Sequence, residues 1–147
     1  MATRWFVTVN DKEARLYSCH PVSRGRLHVD EEGRLGNGWR DQHERGRPSA
    51  LGRGPTANAA QHFASVGHGE EEERRRFARD VSSWLREASD DRSFGRVCVF
   101  ASPKMLGELR HALDDASDWI TLEQTELAHL SEADLAEHPA VLRHVGV

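Results

Sequence analysis

The chain has 147 residues and a net charge of −4, and its length suits one domain that buries roughly 70% of its unfolded surface. The mildly negative balance excludes a polycation that coats nucleic acid, so any such contact must come from a local patch. No apolar stretch approaches the ~20 residues needed to span a bilayer, and the N-terminus shows no secretory leader pattern. We therefore expect a single domain over residues 1–147, cytoplasmic and without a membrane partner.

The placement of cysteine and histidine favours neither a disulfide nor a metal centre. Cys19 and Cys98 each fall in a predicted strand, which favours buried free thiols over a disulfide. His43, His62 and His68 share one loop, but separations of 19 and 6 residues are not ligand spacings. No metal and no other cofactor is predicted.

Three short strands open the chain, near residues 4–9, 14–19 and 26–30. The first is rich in β-branched and aromatic residues, and the other two alternate as half-buried strands do. Short turns join them, so they predict an antiparallel meander. Asp11, in the first turn, is placed to form an ion pair with Arg15, but purely structural roles, as a turn residue and a strand-edge charge, are favoured for the two.

The strongest helical pattern covers residues 70–88. Phe77 and Val81 belong to an apolar series at helical spacing, which predicts one buried face. Glu70–Glu73 directly precede Arg74–Arg76, so the helix start is expected to carry i, i+4 ion pairs. This charge run is more typical of a solvated helix start than of a binding surface.

Two strands and two helices complete the prediction. Val97–Phe100 is a continuous apolar run, typical of a parallel strand covered on both faces. Ser102 and Pro103 supply a helix N-cap and first position, and Ser131 opens a last helix that Pro139 is expected to end. The strands are expected near 96–101 and 118–123, and the helices near 103–113 and 131–138.

The order of these elements predicts the fold class. A meander followed by right-handed crossovers gives an α/β, three-layer architecture with a mixed five-stranded sheet and helices on both faces. With the first strand central and the crossovers moving outward, the strand order is 3-2-1-4-5. That order is the ribonuclease-H-like arrangement.

A long loop from about Glu31 to Gly69, here called the Gly/Arg loop, contains no apolar run suited to a buried element. It holds eight of the twelve glycines and five arginines. Loops this long are usually either functional or disordered, and guanidinium forks bind phosphate oxygens. A flexible phosphate-binding arm and a solvated insertion both fit. Trp39 is expected to pack back onto the domain or against a second copy of the chain, which would make a homo-oligomer.

The element order and the loop resemble the middle domain of archaeal and eukaryotic class-1 peptide-chain release factors and Pelota. In the release factors the loop carries His-Gly-Arg-Gly-Gly-Gln-Ser-Ala, and its Gly-Gly-Gln tip promotes hydrolysis of peptidyl-tRNA. The matching residues here are His43, Arg45, Gly46, Ser49 and Ala50. Glu44 and Arg47 replace glycines, and Pro48 stands where the glutamine would be.

The chain is also similar, and more closely, to a bacterial group of stand-alone domains related to that middle domain, the host-attachment proteins. The residues that correspond to their hallmarks are Trp5, Asp11, Ala14-Arg15, Gly46-Arg47, Phe77-Ala78 and Leu106-Gly107-Glu108-Leu109-Arg110. The match covers nearly the full length. It implies one release-factor-middle-domain-like domain.

Pro48 decides what the resemblance implies for chemistry. Proline has neither an amide side chain to position a hydrolytic water nor a backbone N–H, so peptidyl-tRNA hydrolysis is not expected. No phosphate-cradling Gly-Lys loop, nucleophile elbow or acidic nuclease constellation is present in the sequence. We expect non-enzymatic binding of a ribosome or tRNA, with a protein–protein interaction module in attachment as the alternative. The expected RNA-binding residues are Arg40, His43, Arg45, Gly46, Arg47, Ser49 and Arg53, with no catalytic residue.

Overall fold

A computed structural model of the chain describes residues 3–23, 25–38, 66–116 and 118–146. The strands are β1 (Arg4–Val9), β2 (Glu13–Pro21), β3 (Leu27–Gly36), β4 (Val97–Ala101) and β5 (Ile120–Gln124). The helices are α1 (Val66–Arg92), α2 (Pro103–Ala112), α3 (Glu132–Glu137) and α4 (Pro139–Val145), with a 3-10 turn at Asp114–Ala116.

The five strands form one sheet in the order β3-β2-β1-β4-β5. β1 is antiparallel to β2 and parallel to β4, and β4 is parallel to β5. The predicted mixed sheet and its 3-2-1-4-5 order are therefore confirmed. All five residues of β4 are buried, because the strand has a neighbour on each side and a hydrophobic core on each face.

Alternate residues of the strands build two separate cores. On one face Val7 and Val9 pack with the apolar sides of α1 and α2, among them Phe77 and Leu109. On the other face Phe6 and Phe100 pack with α3 and α4, whose core residues are Leu135, Ala140, Val141 and Val145. Because successive side chains of a strand point to opposite faces, one sheet carries both cores, and the predicted helices on both faces are confirmed.

The predicted Gly/Arg loop was too long at both ends. Glu31–Gly36 extend β3 along β2, with a β-bulge where Leu16 pairs with Gly33 and Tyr17 with Glu31. β3 is an edge strand, and polar side chains are normal on an edge because they discourage pairing with another chain. The absence of an apolar pattern in Glu31–Gly36 therefore led the sequence analysis to assign this half of the strand to the loop.

The long helix begins at Val66 and ends at Arg92, so it exceeds the predicted range of 70–88 on both sides. Because it begins a turn earlier, the acidic run lies beyond the first turn rather than at the helix terminus. Arg74 and Arg75 bind Asp11 and Glu108 on other elements instead of glutamates one turn away. The expected i, i+4 ion pairs are thus replaced by tertiary ones at these two positions.

The predicted helix near 131–138 is confirmed as α3, and a further helix, α4, follows it. α3 ends at Glu137, and Pro139 then occupies the first turn of α4, with the His138 side chain accepting a hydrogen bond from the amide of Ala140 at 3.1 Å. Proline suits the first turn because its missing N–H has no intrahelical partner there. Pro139 therefore lies just beyond the end of α3, as expected, and begins a further helix that the sequence analysis did not predict.

None of the helices in the described ranges has the length and apolar character required to cross a membrane.

Candidate functional site

A pocket of about 360 Å³ lies at the carboxyl ends of β1 and β4, beside the loop that follows β5. β1 continues into an antiparallel hairpin whereas β4 continues into a crossover helix, so the chain leaves these neighbouring parallel strands in different directions. Such a switch point opens a crevice outside the strand ends in α/β sheets. The lining residues are Val9, Asn10, Asp11, Lys12, Ser102, Glu126, Ala128 and His129.

Part of the pocket lining is the tight turn Asn10–Lys12 between β1 and β2, here called the β1–β2 turn. The side-chain oxygen of Asn10 accepts hydrogen bonds from the amides of Lys12 and Glu13, both at 2.8 Å. An Asx turn of this kind holds the backbone in a defined bend. The turn therefore presents Asp11 and Lys12 from a fixed backbone.

Arg74 of α1 neutralises the carboxylate of Asp11. Its Nε and a terminal guanidinium nitrogen lie 3.3 and 3.4 Å from the two carboxylate oxygens. The ion pair between Asp11 and Arg15, which the sequence analysis raised beside the favoured structural roles, does not form: Arg15 binds Glu13 on its own strand. The two side chains diverge because Arg15 continues the alternation of β2 whereas Asp11 lies in the turn.

The β1–β2 turn also holds the other flank of the predicted Gly/Arg loop. Asn37, just beyond β3, donates a side-chain hydrogen bond to the carbonyl of Asp11 at 2.8 Å and an amide hydrogen bond to the carbonyl of Lys12 at 2.7 Å. The chain before residue 39 and the helix after residue 65 are therefore both tied to this one turn.

The sequence-predicted site residues fall outside the described residues. They are Arg40, His43, Arg45, Gly46, Arg47, Ser49 and Arg53, and Trp39 is among the same undescribed residues. The side chain of His68, in the first turn of α1, is likewise not described.

The residues that the structure does bring together were mostly missed by the sequence analysis. Lys12, Ser102, Glu126 and His129 come from three distant stretches of chain and share no motif. The usable signal was positional, because each follows a strand of the predicted parallel set and the carboxyl ends of such strands meet at one edge. No group of three His, Cys, Asp or Glu side chains within the described ranges is arranged to hold a metal ion.

The fold alone does not show which protein family the chain belongs to, and a comparison with known families does. Residues 5–138 match the family described as "Protein required for attachment to host cells". The chain belongs to this attachment family. Membership supports an attachment-related role, and it confirms the resemblance to host-attachment proteins.

Among solved structures, the chain is similar to two structures of the Ppx/GppA family from Aquifex aeolicus. One is described as the type II variant of the Ppx/GppA phosphatase and the other as the Aquifex aeolicus member of the family, each with a TM-score of 0.38 and 10% identity. The matches cover 84% and 83% of this chain but 36% and 35% of those chains, so it spans about a third of their length. No curated protein matches the chain in sequence.

Proposed function

We propose that this member of the attachment family is a non-enzymatic, translation-associated domain that binds RNA, with a ribosome or tRNA as its partner. The proposed contacts are made by Arg40, His43, Arg45, Gly46, Arg47, Ser49 and Arg53. Arginine suits phosphate because its planar fork binds two oxygens at once, and glycine lets a backbone approach a crowded surface. The resemblance to the release-factor loop supports the choice of partner.

One observation carries the proposal. Asn37 and Arg74 both bind Asp11, so the two flanks of residues 39–65 are anchored at a single turn. The distance from Arg74 back to the start of α1 is only about 12 Å along the helix axis. Both flanks of this basic stretch are therefore held at the same corner of the domain.

Because of Pro48, we propose binding of RNA and not hydrolysis of peptidyl-tRNA. The release-factor mechanism uses a glutamine at this point of the loop, and proline offers no equivalent amide. Arg47 adds charge where the release factors have glycine, and that charge favours phosphate contact over entry into a tight catalytic centre.

Ribosome co-sedimentation and a tRNA binding titration, each at low and moderate salt, test the proposal. The double variant Arg45→Ala/Arg47→Ala is expected to lose most binding, and the affinity of the unaltered protein should fall steeply with salt because bound counterions are released. The matched control is Arg26→Ala/Arg110→Ala, which removes two exposed arginines elsewhere. Binding that is equal in the two double variants would refute the assignment of these contacts to the loop.

The second candidate function is a protein–protein interaction module that serves attachment directly. The family description, which names attachment to host cells, favours it. A partner protein captured by the chain after nuclease treatment, and retained at high salt, would support this module because charge-driven RNA contacts do not survive either condition.

A further inference from the structure

We propose that the pocket at the carboxyl ends of β1 and β4 binds a phosphate monoester, with Lys12, Ser102 and His129 as the side chains that contact the phosphate. This site goes beyond the proposed function, because it uses none of the Gly/Arg loop residues. Three separate elements supply it: the β1–β2 turn, the β4–α2 junction and the loop after β5.

Hydrogen-bond donors in the pocket are not used by the fold. Ser102 caps α2 with its backbone only, and its hydroxyl makes no capping hydrogen bond. The structure records no side-chain hydrogen bond or ion pair for Lys12 or His129 with any described residue. The Oδ1 atom of Asn10 accepts both of the hydrogen bonds from the turn amides. The side-chain NH2 group of Asn10 therefore remains as a further donor. These groups together favour a ligand that is rich in acceptor oxygens.

The formal charges at the pocket cancel, so a phosphate there would be held by hydrogen-bond donors and not by net positive charge. The carboxylate of Asp11 is already compensated by Arg74, which leaves Glu126 as the uncompensated carboxylate among the lining residues. Lys12 is the one lysine or arginine among the lining residues, so its charge balances that of Glu126, and the imidazole of His129 offers an N–H donor. The first amides of α2, after Pro103, add the partial positive charge of a helix N-terminus.

The size and the remaining lining argue for an organic phosphate over the free ion. Pockets for small ligands are typically about 300–1,000 Å³, and 360 Å³ is far larger than one phosphate needs. Val9 and Ala128 supply apolar surface beside the polar groups. A monoester therefore fits, with its phosphate on the donors and its organic part against the apolar side.

Amide chemical shifts of the full-length protein test the site during titration with adenosine 5′-monophosphate, inorganic phosphate and adenosine. The monophosphate is expected to shift the amides of Asn10–Lys12, Ser102 and His129 in a saturating manner, and inorganic phosphate to shift the same amides. Adenosine alone should shift none of them. Saturation by adenosine as readily as by the monophosphate, or shifts confined to other residues, would overturn the proposal.

Side-chain variants provide the second measurement. Lys12→Ala and His129→Ala are each expected to weaken monophosphate binding by about tenfold, because each removes one hydrogen bond to a charged group. Arg26→Ala, which removes an exposed cation at the β2–β3 turn, should bind as the unaltered protein does. Equal affinity in all three variants would exclude these donors. Ribosome binding by Lys12→Ala, measured in parallel, separates this site from the proposed function.

Discussion

Arg74 binds both carboxylate oxygens of Asp11 across 63 residues of chain, at 3.3 and 3.4 Å. The Asp11 side chain is 58% exposed and the Arg74 side chain only 13%. The guanidinium side of the pair is therefore largely shielded from water. Their contact joins the long helix to the β1–β2 turn, beside the pocket and between the two flanks of residues 39–65. Together with the two hydrogen bonds from Asn37, it ties this turn to the rest of the domain.

A double-mutant cycle should measure that contact. Asp11→Ala and Arg74→Ala are expected to show a coupling free energy of about 0.5–1 kcal/mol in urea unfolding, the upper part of the range for surface ion pairs. The comparison pair is Arg143–Glu123, at 3.8 Å with side chains 70% and 33% exposed, where coupling should be near zero. Coupling near zero for Asp11 and Arg74 would mean that their contact adds nothing to stability.

Two serines at helix starts provide a matched test of capping. The Ser131 hydroxyl accepts a hydrogen bond from the amide of Asp134 at 3.2 Å, whereas the Ser102 hydroxyl caps nothing. Ser131→Ala is therefore expected to lower the free energy of unfolding by about 1 kcal/mol, and Ser102→Ala to leave it nearly unchanged. Ser102→Ala should instead weaken monophosphate binding. A larger stability loss at Ser102 than at Ser131 would contradict both assignments.

His144 should make stability depend on pH. Burial lowers the pKa of His144 below its ordinary value, more than the opposing hydrogen bond to the Trp5 carbonyl raises it, and Arg4 lowers it further. As the pH falls, the unfolded chain binds the proton first, near its usual pKa of about 6.5. The contribution of His144 is therefore complete above that pH and is lost below it, as the pH approaches the depressed folded pKa.

The matching variant is His144→Gln, whose amide can still donate to the Trp5 carbonyl but does not titrate. Urea unfolding between pH 8 and pH 5 should show the unaltered protein losing stability relative to this variant as the pH falls. Above pH 7 the difference in the free energy of unfolding between the two proteins should hardly change with pH. Parallel stability curves over the whole interval would show that His144 is not the titrating group.

The two cysteines are buried free thiols, as the sequence predicted. Burial raises the pKa of both Cys19 and Cys98 to about 12. Because the thiolate is the reactive form, neither should react with a thiol reagent in the folded protein at pH 8. Mass spectrometry should find no label before denaturation and two labels after it. Labelling of the native protein at either position would contradict the packing of the second core.

The sequence by itself determined the elements that depend on local pattern. The apolar run Val97–Phe100 specified a strand covered on both faces, and the helical spacing of Phe77 and Val81 specified a buried helix face. Patterns of this kind are set by residues two to four positions apart, so they survive without knowledge of the fold. The order of these elements then allowed few topologies, and the sheet order followed.

Tertiary structure decided what depends on register. The polar half of β3 is a strand only because β2 pairs with it, and Pro139 starts a helix only because α4 can bury Val141 and Val145 against the sheet. The hydrophobic pattern of the sequence is the same with or without these two contacts. It therefore predicted neither the longer strand nor the added helix.

The candidate pocket was likewise decided by the tertiary structure and not by local sequence pattern. Lys12, Ser102 and His129 are separated by long stretches of chain, and no spacing links them. Likewise Arg74 had glutamates one turn away and bound Asp11 instead. Ion pairs and pockets form between whichever side chains the packed elements bring within a few ångströms. That proximity is fixed by the sheet register and helix packing, which no local spacing in the sequence contains.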